Sequence, residues 1–311
     1  MTIILVEGVN MFHELSKDNY FYAMSKDHEP KLKVDMGDTV KISSHDCFTG
    51  QITSEENAFE GFSWDRINPA SGPIYVNDVK PGDVLKVTIE KIDIADAGVM
   101  VTGPGMGVMG NRLKDMNVRK FDVDNENGTV DFDGLQLPVN KMIGVIGVAP
   151  PNAAVNNGTP DTHGGNMDSV KVTEGATLYL PVHHEGALFG LGDVHAAMGD
   201  GEISVSGLEV EADVTVKLEK AETLRTYHPV ITDEDGIYMM VSDKDLNLAV
   251  DQSVHKMIEL LQPHTNLPLS EMTMLMSLAG QTQINQVVDP KKTARFFVPR
   301  YILEHYNVEL K

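Results

Sequence analysis

The sequence predicts a mainly β protein, sandwich- or barrel-like with antiparallel sheets, ending in an α+β portion. Three observations carry that prediction. Apolar and polar residues alternate with period 2 up to about residue 220, Gly/Asn/Asp turn clusters separate the alternating runs, and helical spacing takes over after Thr226. The runs Val84–Ile92, Ile203–Ser206 and Val210–Leu218 alternate apolar with polar residues, so each puts one face on a core and the other in water. Turns are expected at Lys80–Asp83, Asn125–Gly128 and Asp131–Gly134, where Gly supplies positive φ and Asn or Asp bonds its own backbone. Lys80–Leu85 and Glu174–Tyr179 each pair a turn with a following apolar strand, which leaves a duplicated β unit open. In Asp243–Leu261 the residues Leu246, Ala249, Val250, Val254, Met257, Ile258 and Leu261 fall three and four apart, behind a Ser242-Asp243 cap and ahead of a stop at Pro263. A second helix is expected from Ser270 as N-cap to Gly280 as terminator. Residues 1–220 should therefore form a β body carrying the functional site, with residues 221–311 packed against it as an α+β portion.

Composition narrows the function. The 311 residues carry 25 Lys+Arg against 46 Asp+Glu, a formal charge of −21 that stays strongly negative even if all 11 His are protonated. A basic face for nucleic acid or anionic lipid is thereby excluded. The 41% hydrophobic content and the length suffice to bury a core without disulfides. Cys47 is the single cysteine, so there is no intrachain disulfide and no Cys-based zinc knuckle, and a reducing compartment is the simplest reading. Met1–Asn10 has a short apolar patch and an early Glu7 without a basic region, unlike a secretory signal. The long uncharged stretches Ala97–Asn111 and Met142–Pro160 are broken by Gly, Pro or Asn and do not read as membrane spans. A cytoplasmic protein is expected.

The chemistry concentrates in Asp161–Glu202, where Asp161, His163, Asn166, Asp168, His183, His184, Glu185, Asp193, His195, Asp200 and Glu202 lie among many glycines. On an extended chain Asp193 and His195 project to one face while Val194 anchors the other, and Asn166 with Asp168 and Asp200 with Glu202 repeat that spacing. Such pairs can offer an oxygen and an imidazole nitrogen to one cation, or serve merely as turn formers and surface strand residues. His183 and His184 face opposite sides of a strand and read as a surface pair. Met106, Met109, Met116, Met239, Met240, Met272, Met274 and Met276 read as adaptable core filler. Thr102–Gly107 is Gly-rich but lacks the Lys-Ser/Thr of a P-loop, and suits a mobile or tightly apposed loop near the site.

Several of these segments together resemble the acetamidase/formamidase family. They are His163-Gly164-Gly165-Asn166-Met167-Asp168, Leu180-Pro181-Val182 followed by Gly186-Ala187-Leu188-Phe189, and Gly192–Glu202 (GDVHAAMGDGE). His45–Gln51 resembles the family's Asp-containing stretch before Gly-Gln, and Asn68–Val76 its Asn-Pro-x-x-Gly-Pro stretch. The resemblance covers roughly residues 30–220 and is more diffuse in the helical tail. It implies a mostly-β hydrolase of small aliphatic amides that releases ammonia and a short carboxylate, often as a homo-oligomer, homodimer or higher. The chain departs from the family at His183-His184-Glu185 and at Met198, where relatives often carry Gln, and both positions bear on substrate choice.

Amide hydrolysis needs a nucleophile, a stabilised oxyanion and a proton for the leaving amine. A Gly-x-Ser-x-Gly elbow is absent, and a metal-activated water is the favoured nucleophile. Asp46, His163, Asp193 and His195 are the expected ligands of a divalent cation, zinc first, with calcium as an alternative structural ion. Asp168 or Asp200 can replace any carboxylate of that set. Glu202 is expected as general base and then acid, with Asn166 or the Gly164-Gly165 amides at the oxyanion and Asp168 beside them. Two other readings remain: an amidase dependent on Cys47 with His45 as base, and a non-catalytic small-ligand-binding protein on the same scaffold.

Overall fold

Strands form where the alternation is strongest, and the longest of them organises the β body. In the computed structural model, which describes residues 10–56 and 58–309, Val84–Thr102 is one continuous 19-residue strand. Its Leu85, Val87 and Ile89 are fully buried, as the alternation predicts, and Ile92 joins them beyond a register shift against Thr215 and Val216. It pairs antiparallel with Glu209–Lys220, with Thr177–Pro181 and with Asn117–Asp124. Glu209–Lys220 pairs in turn with Thr39–Ser44, which carries Phe12–Leu15 in a parallel register. Inward residues from these strands, among them Val40, Ile42, Val214, Val216 and Leu218, make the main core.

A second group of strands is buried on both faces. Met142–Gly147 and Phe189–His195 are antiparallel partners with no residue exposed, flanked by Ala70–Val76 and Gly164–Asn166. Two-sided burial explains why residues 142–149 read as an apolar run instead of an alternating one. These strands carry the site. The expectation for Met1–Asn10 falls, apart from Asn10, outside the described residues. Among the described residues no helix is long and apolar enough to cross a membrane.

In the C-terminal portion Val230–Thr232, Gly236–Asp243, Lys292–Pro299 and Gln281–Gln286 form an antiparallel run. Helices α1 (Leu246–Thr265), α2 (Leu269–Ala279) and α3 (Arg300–His305) accompany it. Met257, Ile258, Leu261, Met272 and Met276 pack with Val230, Ile237, Phe296 and Ile302 in a second core that also takes in Val84 and Tyr179 of the body. Thr177–Pro181 pairs with Val84–Thr102 on one edge and with Val230–Thr232 on the other, so hydrogen bonding passes from body to tail without a break.

Several sequence expectations are corrected. Ile203–Ser206 is a turn: Val205 donates its N–H to the Glu202 carbonyl at 2.9 Å and takes φ 68°, while Ile203 is 60% exposed, so the alternation there reflects no buried face. The first helix is capped by Asp245, whose carboxylate accepts from the Asn247 N–H at 2.9 Å. Pro263 does not stop it. Proline so near a helix end removes a single donor, and the stop comes at Asn266 in the left-handed region with φ 56°. The second helix starts at Leu269 behind Pro268, and Gly280 ends it as expected by donating to the Met276 carbonyl. Met239, Met240, Met272 and Met276 are core residues, whereas Met109, Met116 and Met274 are exposed. The Gly-rich loop is apposed to the 203–205 turn: the Val108 N–H reaches the Ile203 carbonyl at 2.8 Å, and a Cβ at Gly107 would meet that oxygen at 2.3 Å.

Leu85 sits fully buried where the strands Val84–Thr102, Thr177–Pro181 and Glu209–Lys220 meet. Leu85→Ala is expected to cost about 2–5 kcal/mol, read as a lower urea midpoint with an unchanged slope.

Candidate active site

Gly144 opens the space into which the carboxylates converge. In the pairing of Met142–Gly147 with Phe189–His195, Ile143 faces Val194 and Val145 faces Gly192, so the unshifted register sets Gly144 opposite Asp193 at a position where the ladder lacks a bridge. Asp193 takes φ 55° there, in mid-strand. A Cβ on Gly144 would lie 2.4 Å from Asp168 Oδ1 and 2.6 Å from Asp193 Oδ2, so only glycine leaves room for both carboxylates. The Gly144 carbonyl also receives the Met167 N–H at 3.1 Å, anchoring the segment that presents Asn166 and Asp168. Across the next strand pair Glu209 faces His195. Gly207 lies so close that a Cβ would meet His195 Nδ1 at 2.3 Å.

Asp168, Asp193, His195, Glu202 and Glu209 are all buried, and Cys47 and Asp289 are buried beside them. Potential ligand atoms of Asp168–Asp193–His195, of His195–Glu202–Glu209 and of Cys47–Asp193–Glu209 lie within 4.8 Å of one another in each trio. His195 Nε2 is 3.1 Å from Glu209 Oε2 and 3.5 Å from Asp193 Oδ1, yet neither contact is aligned as a hydrogen bond. Both Asp168 oxygens, both His195 nitrogens, Glu209 Oε2, Asp289 Oδ2 and Asn166 Oδ1 are buried without a hydrogen-bond partner. Buried polar atoms are otherwise almost always paired, so this many orphans in one place mark a site built for something that brings its own bonds. Asp168, Asp193 and Glu202 all adopt positive φ, between 42° and 55°, a strain that persists only where the surroundings over-determine the backbone.

Electrostatics follow from burial. Loss of hydration is the largest influence on each carboxyl and pushes Glu202 and Glu209 up to about 8 and Asp168 and Asp289 well above the usual carboxylate range; neighbouring carboxylates add to it. Burial opposes charge on His195, but Glu209 and Asp193 outweigh it and raise the imidazole well above its ordinary value. The Cys47 thiol is pushed well up by burial and then by Glu209 and Asp193, which holds it protonated. A divalent cation fits this donor set: oxygen atoms, an imidazole and a thiol, several unpartnered, whose charges repel without one.

The cluster fronts a cavity of about 360 Å³ lined by Asn166, Asp193, Glu202 and Glu209, by Cys47 and Trp64, by Gly105–Gly107 of the Gly-rich loop and by Val288–Pro290 of the C-terminal portion. Of the sequence candidates, Asn166, Asp168, Asp193, His195 and Glu202 come together here, and Asp46, His163 and Asp200 stand apart. Asp46 closes its own turn, its Oδ1 accepting from Phe48 N at 2.8 Å and Gly50 N at 3.2 Å. His163 is buried near Asp161 and His183 with its Nε2 unpartnered, and burial lowers it to about 4. Asp200 pairs with Arg295. His45 turns its Nδ1 to Glu211 Oε1 at 3.5 Å and its ring edge to Tyr20, and is not presented as a base for Cys47. His184 donates through Nε2 to the Pro150 carbonyl oxygen at 2.9 Å, while His183 is half buried, so the two are not a free surface pair.

Sequence reasoning missed Glu209 and Asp289. Glu209 opens an alternating run whose Glu211 and Asp213 are only partly buried, and a register shift between Val210 and Ala212 separates it from them. Asp289 lies in Asp289-Pro290-Lys291-Lys292, which reads as an ordinary turn; its place depends on Gln286 Oε1 accepting from the Val288 and Asp289 N–H groups.

Fold and cluster together describe a β-rich protein with a buried, cation-ready carboxylate site, and comparison with known proteins supplies the family. The model of the Acetamidase/Formamidase family matches residues 14–159 and 152–305, and the chain belongs to that family. A recombinant predicted acetamidase/formamidase from Thermoanaerobacter tengcongensis superposes with TM-score 0.94 at 45% identity, covering 97% of this chain and 100% of that one. An acetamidase from Bacillus halodurans gives TM-score 0.91 at 39% identity, covering 95% of this chain and 100% of that one. Formamidase from Methylophilus methylotrophus is 22% identical over 240 residues, 58% of this chain and 59% of that protein. The chain spans about 60% of the length of this formamidase and of a putative formamidase from Schizosaccharomyces pombe that it also matches.

Two outcomes test the site. Gly144→Ala should fold with near-normal far-UV circular dichroism but bind a divalent cation at least about tenfold more weakly, as isothermal titration would show. For pH, Glu202 and Glu209 titrate near 8 in the folded chain and near their ordinary 4.5 when unfolded. The cation-free fold then holds extra protons between those values, so their contribution to its stability falls as pH rises through that window. Added cation competes with those protons, so the gap in Tm between cation-loaded and chelator-treated protein should widen from pH 5.5 to 8.5; a constant or shrinking gap contradicts the assignment.

Proposed function

We propose that this protein hydrolyses small aliphatic amides of the formamide and acetamide kind, releasing ammonia and a short carboxylate, with a divalent cation, zinc foremost, at the Asp168–Asp193–His195–Glu209 cluster. The observation that carries the reading is the set of unpartnered buried donor atoms at the wall of a cavity of about 360 Å³, in a chain of this family. A cation held by Asp168, Asp193, His195 and Glu209 supplies Lewis acidity for polarising a carbonyl and stabilising developing negative charge.

The protein's own groups divide the remaining work. Glu202 is buried at the cavity wall with its carboxyl pushed up to about 8, so both protonation states are accessible near neutrality. That suits a group that takes a proton from water and returns it to the leaving amine. The unpartnered Asn166 Oδ1 is an acceptor for the substrate's N–H₂, and the burial of Asp193 and Glu209 keeps bulk water away from the reacting centre. Trp64, Ile67 and Met106, with Phe48, Val205 and Val288, make up apolar lining that leaves room for a short acyl chain. The reading also takes the protein to act in the cytoplasm as a homo-oligomer, for which exposed Phe132, Leu135 and Leu137 offer apolar surface.

The test is ammonia release from formamide and acetamide, with metal content measured before chelation, after it, and after zinc readdition. Near-stoichiometric metal with reversible loss of turnover is expected. Metal-independent turnover abolished by thiol alkylation would move the reaction to Cys47, and absence of ammonia from every small amide would remove the amidase reading. Glu202→Gln should keep fold and metal content while lowering kcat by about 10² or more; wild-type turnover in that variant would end the proton-carrier role.

A further inference from the structure

We infer that Arg295, on the C-terminal strand Lys292–Pro299, is a positioning residue that fixes Glu202 for turnover through Asp200; this rests on the proposed role of Glu202. Arg295 is 2% exposed, and its ion-pair partner is Asp200, which like Arg295 itself lies outside the cavity lining. Its guanidinium grips the Gly199–Glu202 turn with a two-pronged contact, Nη1 to Asp200 Oδ1 at 2.9 Å and Nη2 to Asp200 Oδ2 at 2.6 Å. The remaining donors go to the neighbouring strand: Nη1 to Asn285 Oδ1 at 2.7 Å and Nε to Gln283 Oε1 at 2.6 Å. One planar group thus ties three chain segments in fixed geometry, which a single-point ammonium cannot reproduce.

The backbone completes the clamp. Gly201 donates to the Asn285 carbonyl at 2.7 Å and accepts from the Val287 N–H at 3.2 Å, beside a parallel bridge to Gln286. Glu202 follows immediately at φ 44°, a conformation that a glutamate holds only under outside constraint. Within the turn itself the Glu202 N–H has one backbone bond, to Gly199 at 3.2 Å. The constraint therefore comes from the Gln281–Gln286/Lys292–Pro299 hairpin, with Arg295 as its side-chain anchor. The loop between these two strands also places Val288–Pro290 in the cavity wall.

The experiment compares Arg295→Met, Arg295→Lys, Asp200→Asn and the double variant Asp200→Asn/Arg295→Met for amide kcat, KM and Tm. Loss of alignment predicts kcat lowered about 10- to 100-fold with KM nearly unchanged, partial recovery in Arg295→Lys, and a double variant no slower than the worse single. Added guanidinium ion should restore part of the kcat of an Arg295→Gly variant. A role in stability alone predicts lower Tm with normal kcat at a temperature where the protein is folded, and that result overturns the inference. The two readings separate cleanly: normal turnover of Glu202→Gln defeats the proton-carrier role, whereas its loss together with normal turnover of Arg295→Met defeats only the positioning role. A crystal structure of Arg295→Met gives the readout that needs no activity. Glu202 displaced from its left-handed conformation supports the inference, and Glu202 unmoved refutes it.

Discussion

Gathering several carboxylates out of water is the constraint on which the rest of the site depends. An ionised carboxylate loses its hydration on burial, and a second one nearby repels it, so Asp168, Asp193, Glu202, Glu209 and Asp289 cannot share one buried place as bare charges. Protons or a cation must offset them, and raised carboxyl proton affinities and orphaned oxygen atoms are two expressions of that one fact. Local irregularities follow from the same need. The missed pairing at Gly144 and Asp193, the left-handed carboxylate residues and the bare backbone at Gly144 and Gly207 all trade regular sheet for convergence of side chains.

Such a site needs a stiff frame, and two-sided burial provides it. Met142–Gly147 and Phe189–His195 lie inside the protein along their whole length, so the strain at Asp193 is held by packing on both faces. The frame is not confined to the β body. The tail shares a hydrogen-bonded edge at Thr177–Pro181, contributes Val288–Pro290 to the cavity, and holds the turn that carries Glu202. The body thus supplies Asp168, Asp193, His195 and Glu209, and the tail sets the geometry of the turn that carries Glu202, the proposed proton carrier.

The overall negative charge fits this division. Most acidic residues are solvated or paired on the surface, as Asp213 is with Lys41 and Glu211 with Lys17, and contribute little to stability. The clustered carboxylates of the candidate site are ones from which water is excluded. The small neutral amide proposed as substrate would approach such a centre without electrostatic penalty.

What the sequence determined by itself is whatever depends on near neighbours in the chain. Alternation over Val84–Ile92 and Val210–Leu218 found the strands that extend over Val84–Thr102 and Glu209–Lys220, spacing placed the first long helix and cap residues the second, and the density of polar residues from Asp161 to Glu202 pointed to Asn166, Asp168, Asp193, His195 and Glu202. Helix ends slipped by one to four residues because capping is a competition among adjacent Asp, Ser and Pro residues that spacing does not rank. Only the tertiary structure decided which candidates meet. Asp46 closes a turn, His163 lies aside, and Glu209 and Asp289 arrive from elements with no local signal, because a site is a convergence of strands whose register is set by packing across many residues. Chain-local patterns fix the direction of a side chain relative to its own strand; where that strand lies, and what it faces, is fixed by the core it helps to bury.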